Sequence, residues 1–246
     1  YTKYSFKKNI SLIFLISITI AILLTKSRNA WGGLIFSIPL LLGASSLFWI
    51  IPILLFIFIG IYFATSESLT LHLQEYARNI LPTSLWKEFS SENFIGRQTR
   101  ISIWTTAINL IKARPIIGYG AGSFSLIYFQ LKSVYTGHAH NLPLEVAYNF
   151  GLPFAIFLFS YIAFILIITF EKLIKKNNFK NNFLKINLFE RAWWTSFLII
   201  CISNLLDVVL YDGRLRLVFW ILFTGCVQIF KNNQETFNTK KINPTI

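Results

Sequence analysis

Residues 30–64 read AWGGLIFSIPLLLGASSLFWIIPILLFIFIGIYFA, an unbroken stretch without one charged side chain. About 20 apolar residues cross the hydrocarbon of a bilayer, so this run is too long for a single crossing. Gly43-Ala44-Ser45-Ser46 supplies the natural turn within it. The sequence therefore predicts two helices here, over 30–44 and 47–64. The first is short and contains Pro39, which predicts tilt, a kink or extension into the interface.

Further apolar runs cover 9–25, 144–170, 192–210 and 217–230. The 246-residue chain is 54% hydrophobic and only 13% charged, with a mean hydropathy of +0.58. That is about half the charge of a soluble domain. The expectation is an all-α, polytopic integral membrane protein: three transmembrane helices over 1–64, a helical extramembrane loop segment over 65–143, and three more transmembrane helices over 144–246. Cys201 and Cys226 lie inside apolar runs with neither metal-site nor redox spacing. The chain begins at Tyr1 and contains no Met, which predicts a C-terminal fragment of a longer protein.

The net charge is +13. In a membrane chain this reads as basic loops on the cytoplasmic side, not as a surface for nucleic acid. With residues 1–8 placed inside, the inner segments 1–8, 171–191 and 231–246 hold twelve Lys/Arg, while the short outer loops 26–29 and 211–216 hold two each. Long translocated loops are weakly bound by this rule, so 65–141 falls outside without conflict. Arg28, Arg97, Arg100, His138, His140, Asp212, Arg214 and Arg216 then share the outer face.

The outer segment carries Trp86, Phe89, Phe94 and Trp104, which predicts an ordered element. Ile101, Trp104, Ile108 and Ile111 recur at helical spacing, predicting an amphipathic helix over 97–113 that Pro115 stops. Arg97 and Arg100 fall in its first turn, where the helix dipole disfavours cations and a positive field is left for an anion. Gly118-Tyr119-Gly120-Ala121-Gly122 reads either as a structural turn or as a phosphate-cradling one. It lacks the strand and Gly-Lys-Ser/Thr context of a nucleotide loop.

His138-Ala139-His140-Asn141 precedes the apolar run at 144–170. A metal site needs three or four ligands, and Glu145 is the one carboxyl nearby, so no metal is expected. One neutral imidazole suffices for a general base. The alternative is a set of interfacial polar residues capping the next helix. Arg28 reads as an interfacial anchor or as the partner of a phosphate. Asp207, inside the penultimate run, is expected to pair with Arg214 or Arg216.

Taken in order, Ser27-Arg28-x-Ala30-Trp31, Arg100-x-x-x-Trp104, Pro115-x-x-Gly118-x-Gly120-x-Gly122-x-Phe124 and His138-x-His140-Asn141 resemble the O-antigen ligase and polymerase family of bacterial envelope proteins. The likeness runs from about residue 11 to about residue 170. The ligase pattern of His-Asn, nine residues and Gly fits His140-Asn141 and Gly151. Three positions past Gly151, where that pattern has Gly, Thr or Tyr, stands Phe154. The resemblance implies a GT-C-like architecture in the bacterial inner membrane with its active site facing the periplasm. It implies a metal-independent, inverting glycan transferase without a cofactor. The donor would be an undecaprenyl-diphosphate-linked glycan, and the acceptor a sugar hydroxyl of lipid A-core or of another glycan chain. By position, Arg28 and Arg100 would hold the diphosphate and His140 would act on the acceptor hydroxyl, with Arg97, His138, Asn141, Arg214 and Arg216 as further candidates. Two other readings are a polymerase of the same family and a small-anion, bicarbonate-type transporter.

Overall fold

The structure is a computed structural model that describes residues 2–25, 27–66, 71–81, 83–86, 100–175 and 188–242. Every regular element described is helical. In order these are α1 (Thr2–Leu24), α2 (Arg28–Leu42), α3 (Leu47–Thr65), α4 (Leu71–Ile80), α5 (Thr83–Trp86), α6 (Arg100–Ala113), α7 (Phe124–Lys132), α8 (Leu142–Phe150), α9 (Leu152–Lys175), α10 (Leu188–Leu206) and α11 (Gly213–Ile242). Leu47–Thr65, Leu152–Glu171 and Gly213–Lys231 are long and apolar enough to cross a membrane, and Asn9–Leu24 and Asn29–Leu42 are shorter apolar helices. On α3 only Ala64 is buried, while Phe48 and Phe56 are about three-quarters exposed. A helix apolar on every side is stable in lipid and not in water. The chain is an all-α polytopic membrane protein.

The ends of the first apolar elements follow local chemistry. Ser27 caps α2, its hydroxyl accepting the Ala30 N–H at 3.3 Å. Gly43 ends α2 with φ 95° and returns its N–H to Pro39. The residues Ala44–Ser46 then form a single 3-10 turn before α3. The break expected at 43–46 is therefore where α2 gives way to α3.

Four helices pack into one bundle through close approaches and indole bonds. A Cβ on Gly33 would lie 3.0 Å from Ile199, so α2 rides close to α10. A Cβ on Gly225 would lie 1.8 Å from the Trp193 ring, and the Trp193 indole donates to Leu222 O at 2.9 Å, which fastens α10 to α11. The Trp194 indole donates to Leu166 O at 2.9 Å and the Thr169 hydroxyl to Cys226 O at 3.3 Å, bringing in α9. Small residues and side-chain-to-carbonyl bonds are what hold helices together when lipid removes the hydrophobic drive between them. Between them lie Ile165, Leu173, Trp194, Phe197 and Phe219.

The apolar run expected as one helix over 144–170 is two. Gly151, with φ 86°, separates α8 from α9, and a Cβ there would lie 1.9 Å from Ile116 O. The break lets α8 leave the bundle and pack on α6 and α7 in a second core of Ile103, Ala107, Ile111, Phe124, Tyr128, Val146 and Tyr148. The described part of the amphipathic helix is Arg100–Ala113, which ends short of Pro115, and the expected positions 97–99 lie outside the described residues. Its buried residues are Ile103, Thr106, Ala107 and Ile111; of the expected Ile101, Trp104, Ile108 and Ile111 only Ile111 is buried, and Ile101 is 74% exposed. The inward face is set by α8, which covers the Ile103 side. The last helix begins at Gly213 instead of 217.

Candidate functional site

Asn141 opens α8. Its carboxamide oxygen accepts the Leu144 N–H at 2.9 Å, and its amide donates to Leu205 O at 2.9 Å. One side chain thus caps α8 and ties it to the end of α10. The helix cap is Asn141, which leaves both histidines free of that duty. Just before the cap, His140 sits at φ 50°. That left-handed conformation costs a non-glycine residue about 1 kcal/mol and persists only where neighbours impose it.

The two imidazoles meet edge to face, with centroids 4.3 Å apart. Both turn toward Asp207, the first residue past α10. His140 Nδ1 lies 3.1 Å from Asp207 Oδ1, and His138 Nε2 lies 3.9 Å from the same oxygen. The Val208 N–H also donates to that oxygen at 2.8 Å. The partner expected for Asp207 was Arg214 or Arg216; it is the histidine pair. Arg214 instead binds Asp212 at 2.8 Å on the exposed turn beyond, because Asp212 is two residues away and Asp207 is turned inward by Val208 N–H.

The hydrogen bonds assign the ring nitrogens. The His140 backbone N–H donates to His138 Nδ1 at 3.2 Å, so that nitrogen is an acceptor and neutral His138 carries its proton on Nε2, toward Asp207. His138 has no lone pair left to offer. Asp207 accepts from His140 Nδ1, which leaves His140 Nε2 as the free basic nitrogen. The His140 hydrogen bond holds the Asp207 carboxyl down to about 2 against the opposing effect of burial. Burial and then the neighbouring His140 lower His138 below its ordinary value, outweighing the pull of Asp207. A persistent anion behind a histidine is the arrangement that orients an imidazole as a base and stabilises it once protonated.

Beneath the pair, Glu145 is 2% exposed in the first turn of α8. Its Oε2 accepts the Ala139 N–H at 2.8 Å, and its Oε1 accepts Tyr211 Oη at 2.5 Å and the Asn149 amide at 3.3 Å. Tyr211 ends the 3-10 turn Val209–Tyr211, and its ring lies 5.5 Å from that of His138. Burial, and next the Glu145 acceptor, push the Tyr211 phenol upward, so it stays a donor.

The glycines are scaffold at one position above all. Gly118, at φ 66°, stands where a Cβ would be 2.4 Å from Tyr148 O. The next two N–H groups, of Tyr119 and Gly120, donate to Tyr148 O and Asn149 O, supplying partners at the end of α8. Tyr119 stacks on Tyr148 at 5.0 Å and Arg114 lies over Tyr119. Gly120 and Gly122 face open space.

Of the expected arginines, Arg28 opens α2 directly after the Ser27 cap, and nothing beyond its backbone is described. That backbone stands beside the site, since the Asn29 amide donates to Ser203 O at 3.2 Å and the Asp207 N–H donates to the same carbonyl. Arg100 is the first described residue of α6 and is exposed. The C-terminal ends of α6 and α8 meet where Leu152 N–H donates to Pro115 O. Arg97 lies outside the described residues. Arg214 and Arg216 are exposed at the start of α11. An apolar groove of about 500 Å³ runs between α2, α10 and α11, with Ser27, Asn29, Ser203 and Val209 at one end and Leu41 and Leu222 along it.

Asp207 and Tyr211 are functional candidates that the sequence placed wrongly or passed over. An acid in an apolar run was the available signal for Asp207. Donor atoms of His138, His140 and Asp207 lie within 4.8 Å of one another, so these three could hold a divalent ion on one side. The same atoms are also accounted for by their hydrogen bonds to each other and to the backbone.

Fold and site together define a helical membrane protein with a histidine–aspartate pair where its helices end. A family profile described as O-Antigen ligase matches residues 12–159. The match runs from α1 through the histidine motif into α9, and the chain belongs to the O-antigen ligase family. No curated protein and no solved structure matches it.

Proposed function

We propose that this protein transfers a glycan from undecaprenyl diphosphate to an acceptor sugar hydroxyl at the periplasmic face of the bacterial inner membrane. The observation that carries the reading is the 3.1 Å bond from His140 Nδ1 to Asp207 Oδ1, which leaves Nε2 free to take a proton. In the transfer, His140 Nε2 removes the acceptor hydroxyl proton as that oxygen bonds to the anomeric carbon. The anomeric carbon–oxygen bond to the diphosphate breaks on the opposite side, and undecaprenyl diphosphate leaves with the electron pair. The configuration inverts. Asp207 stabilises the imidazolium that forms.

Diphosphate is a good leaving group once its charge is balanced. Arg28 and Arg100 supply that balance, with Arg97, Arg214 and Arg216 as further candidates and Asn141 fixing the loop; guanidinium forks suit phosphate oxygens. The reaction as written needs neither a metal nor a cofactor. The groove between α2, α10 and α11 begins beside Ser203 and Val209, which flank Asp207 in sequence, and it offers an apolar path for the polyprenyl chain.

The test is transfer in vesicles from an undecaprenyl-diphosphate glycan to a panel of acceptors. Transfer to lipid A-core marks a ligase; chain growth on a second glycan marks the polymerase alternative. No transfer to any acceptor, beside an active control ligase and with uptake of bicarbonate instead, removes the proposal.

A further inference from the structure

Glu145 takes no part in the transfer step, yet it touches both halves of the site. One oxygen binds the peptide N–H of Ala139, the residue between the two histidines. The other binds Tyr211 Oη from 66 residues away, in the turn that follows Asp207. Ala139 is fully buried, so its N–H has no water to turn to. The geometry points to Glu145 and Tyr211 as positioning residues: a strap, buried at its Glu145 end, that holds the histidine loop against the Asp207 turn.

The loop needs such a strap. His140 is held at φ 50°, and its ring can meet Asp207 only while that conformation lasts. Its neighbours on either side are each fixed by a single side chain, Ala139 by Glu145 and Asn141 through its own bonds to Leu205 and Leu144. On the opposite side, Val208 N–H orients Asp207, but that bond is local and cannot register α10 against the loop. The Glu145–Tyr211 bond joins the two segments, and the Tyr211 ring also lies beside His138. Supporting residues that orient a reactive group are commonly worth 10–100-fold in activity.

Three variants separate the parts. Tyr211→Phe keeps the ring beside His138 and deletes one bond. Glu145→Ala removes all three acceptor bonds. Glu145→Gln can keep the strap, because Tyr211 Oη can accept where it donated and the Asn149 amide can turn over to present its oxygen. The activity measurement rests on the glycan-transfer reading; a second measurement does not. That second measurement is the rate of diethyl pyrocarbonate labelling at His138 and His140 in the full chain, read by mass spectrometry. Tyr211→Phe and Glu145→Ala are expected to raise labelling several-fold and to lower kcat about tenfold or more with KM for the lipid-linked donor little changed. Glu145→Gln is expected to stay near wild type in both. Faster labelling in variants of a protein that transfers nothing upholds the strap while the transfer reading fails. Unchanged labelling in both Tyr211→Phe and Glu145→Ala overturns the strap, whatever the activity. So does a lower melting temperature with kcat and labelling unaltered, which would leave Glu145 a fold-stabilising residue only.

Discussion

His140 Nδ1 and Asp207 Oδ1 meet at 3.1 Å across 67 residues of sequence, one from the loop before α8 and the other from the end of α10. The bond does two things at once. It fixes which imidazole nitrogen carries a proton, and it keeps an anion behind the ring when that ring gains a second one.

Replacing Asp207 with Asn keeps an oxygen acceptor for His140 but removes the charge. Transfer by Asp207→Asn is expected to fall about 10²-fold or more, within the range that general-base catalysis contributes. Single-turnover transfer in vesicles, with the inserted protein quantified, checks this. Activity within twofold of wild type would show that the anion is dispensable.

The two histidines are not equivalent. His138 accepts the His140 N–H and directs its own proton toward Asp207, so it supports the loop and has no free lone pair. His138→Gln, which can still offer an acceptor, is expected to lose about tenfold, well short of the loss in His140→Ala. The same transfer measurement ranks the pair, and equal losses would contradict the nitrogen assignment.

The Asp207 carboxyl is held down to about 2, below the ordinary value of about 3.9. Below the unfolded value the unfolded chain takes up the proton before the folded one does. The Asp207 contribution to stability is therefore fully present above about pH 4 and is lost as pH falls through about 2. The melting temperature of wild type minus that of Asp207→Asn should shrink as pH falls from about 4 toward about 2. Because the Asp207 side chain is 38% exposed, solvent screening keeps this contribution small.

Gly151 and Gly118 interlock the end of α8 with the chain after α6. Gly151→Ala would drive a Cβ to 1.9 Å from Ile116 O at φ 86°, and a loss of about 3 kcal/mol or more is expected. Gly120→Ala meets no atom within 4 Å and should cost only its backbone strain, about 1 kcal/mol. Thermal unfolding of the three proteins in one detergent measures the difference.

The membrane class was legible because lipid demands long apolar helices, and residues 30–64 allow no other use. The break at Gly43–Ser46 was legible for the same reason, since two helices must be joined somewhere. The break at Gly151 was not, because hydropathy runs straight through it; only the positive φ and the approach of Ile116 reveal it. The inward face of α6 was hidden because isoleucines stand on two sides of that helix, and tertiary packing chose Ile103 over Ile101 and Ile108. At the site, His138 and His140 stood out by their spacing. Their partner Asp207 did not, since a contact across 67 residues leaves no local pattern and the nearer arginines looked the better match. Gly118 was ambiguous between turn and cradle; its contact with Tyr148 O makes it a turn.

The most direct measurement is single-turnover glycan transfer by wild type and His140→Ala in vesicles loaded with undecaprenyl-diphosphate glycan and the acceptor that works best, with EDTA present throughout. The account predicts transfer by wild type in EDTA and a loss of about 10²-fold or more in the variant, with insertion and donor binding retained. Full transfer by His140→Ala would contradict the assignment of the base, and loss of wild-type transfer on adding EDTA would turn His138, His140 and Asp207 into metal ligands instead.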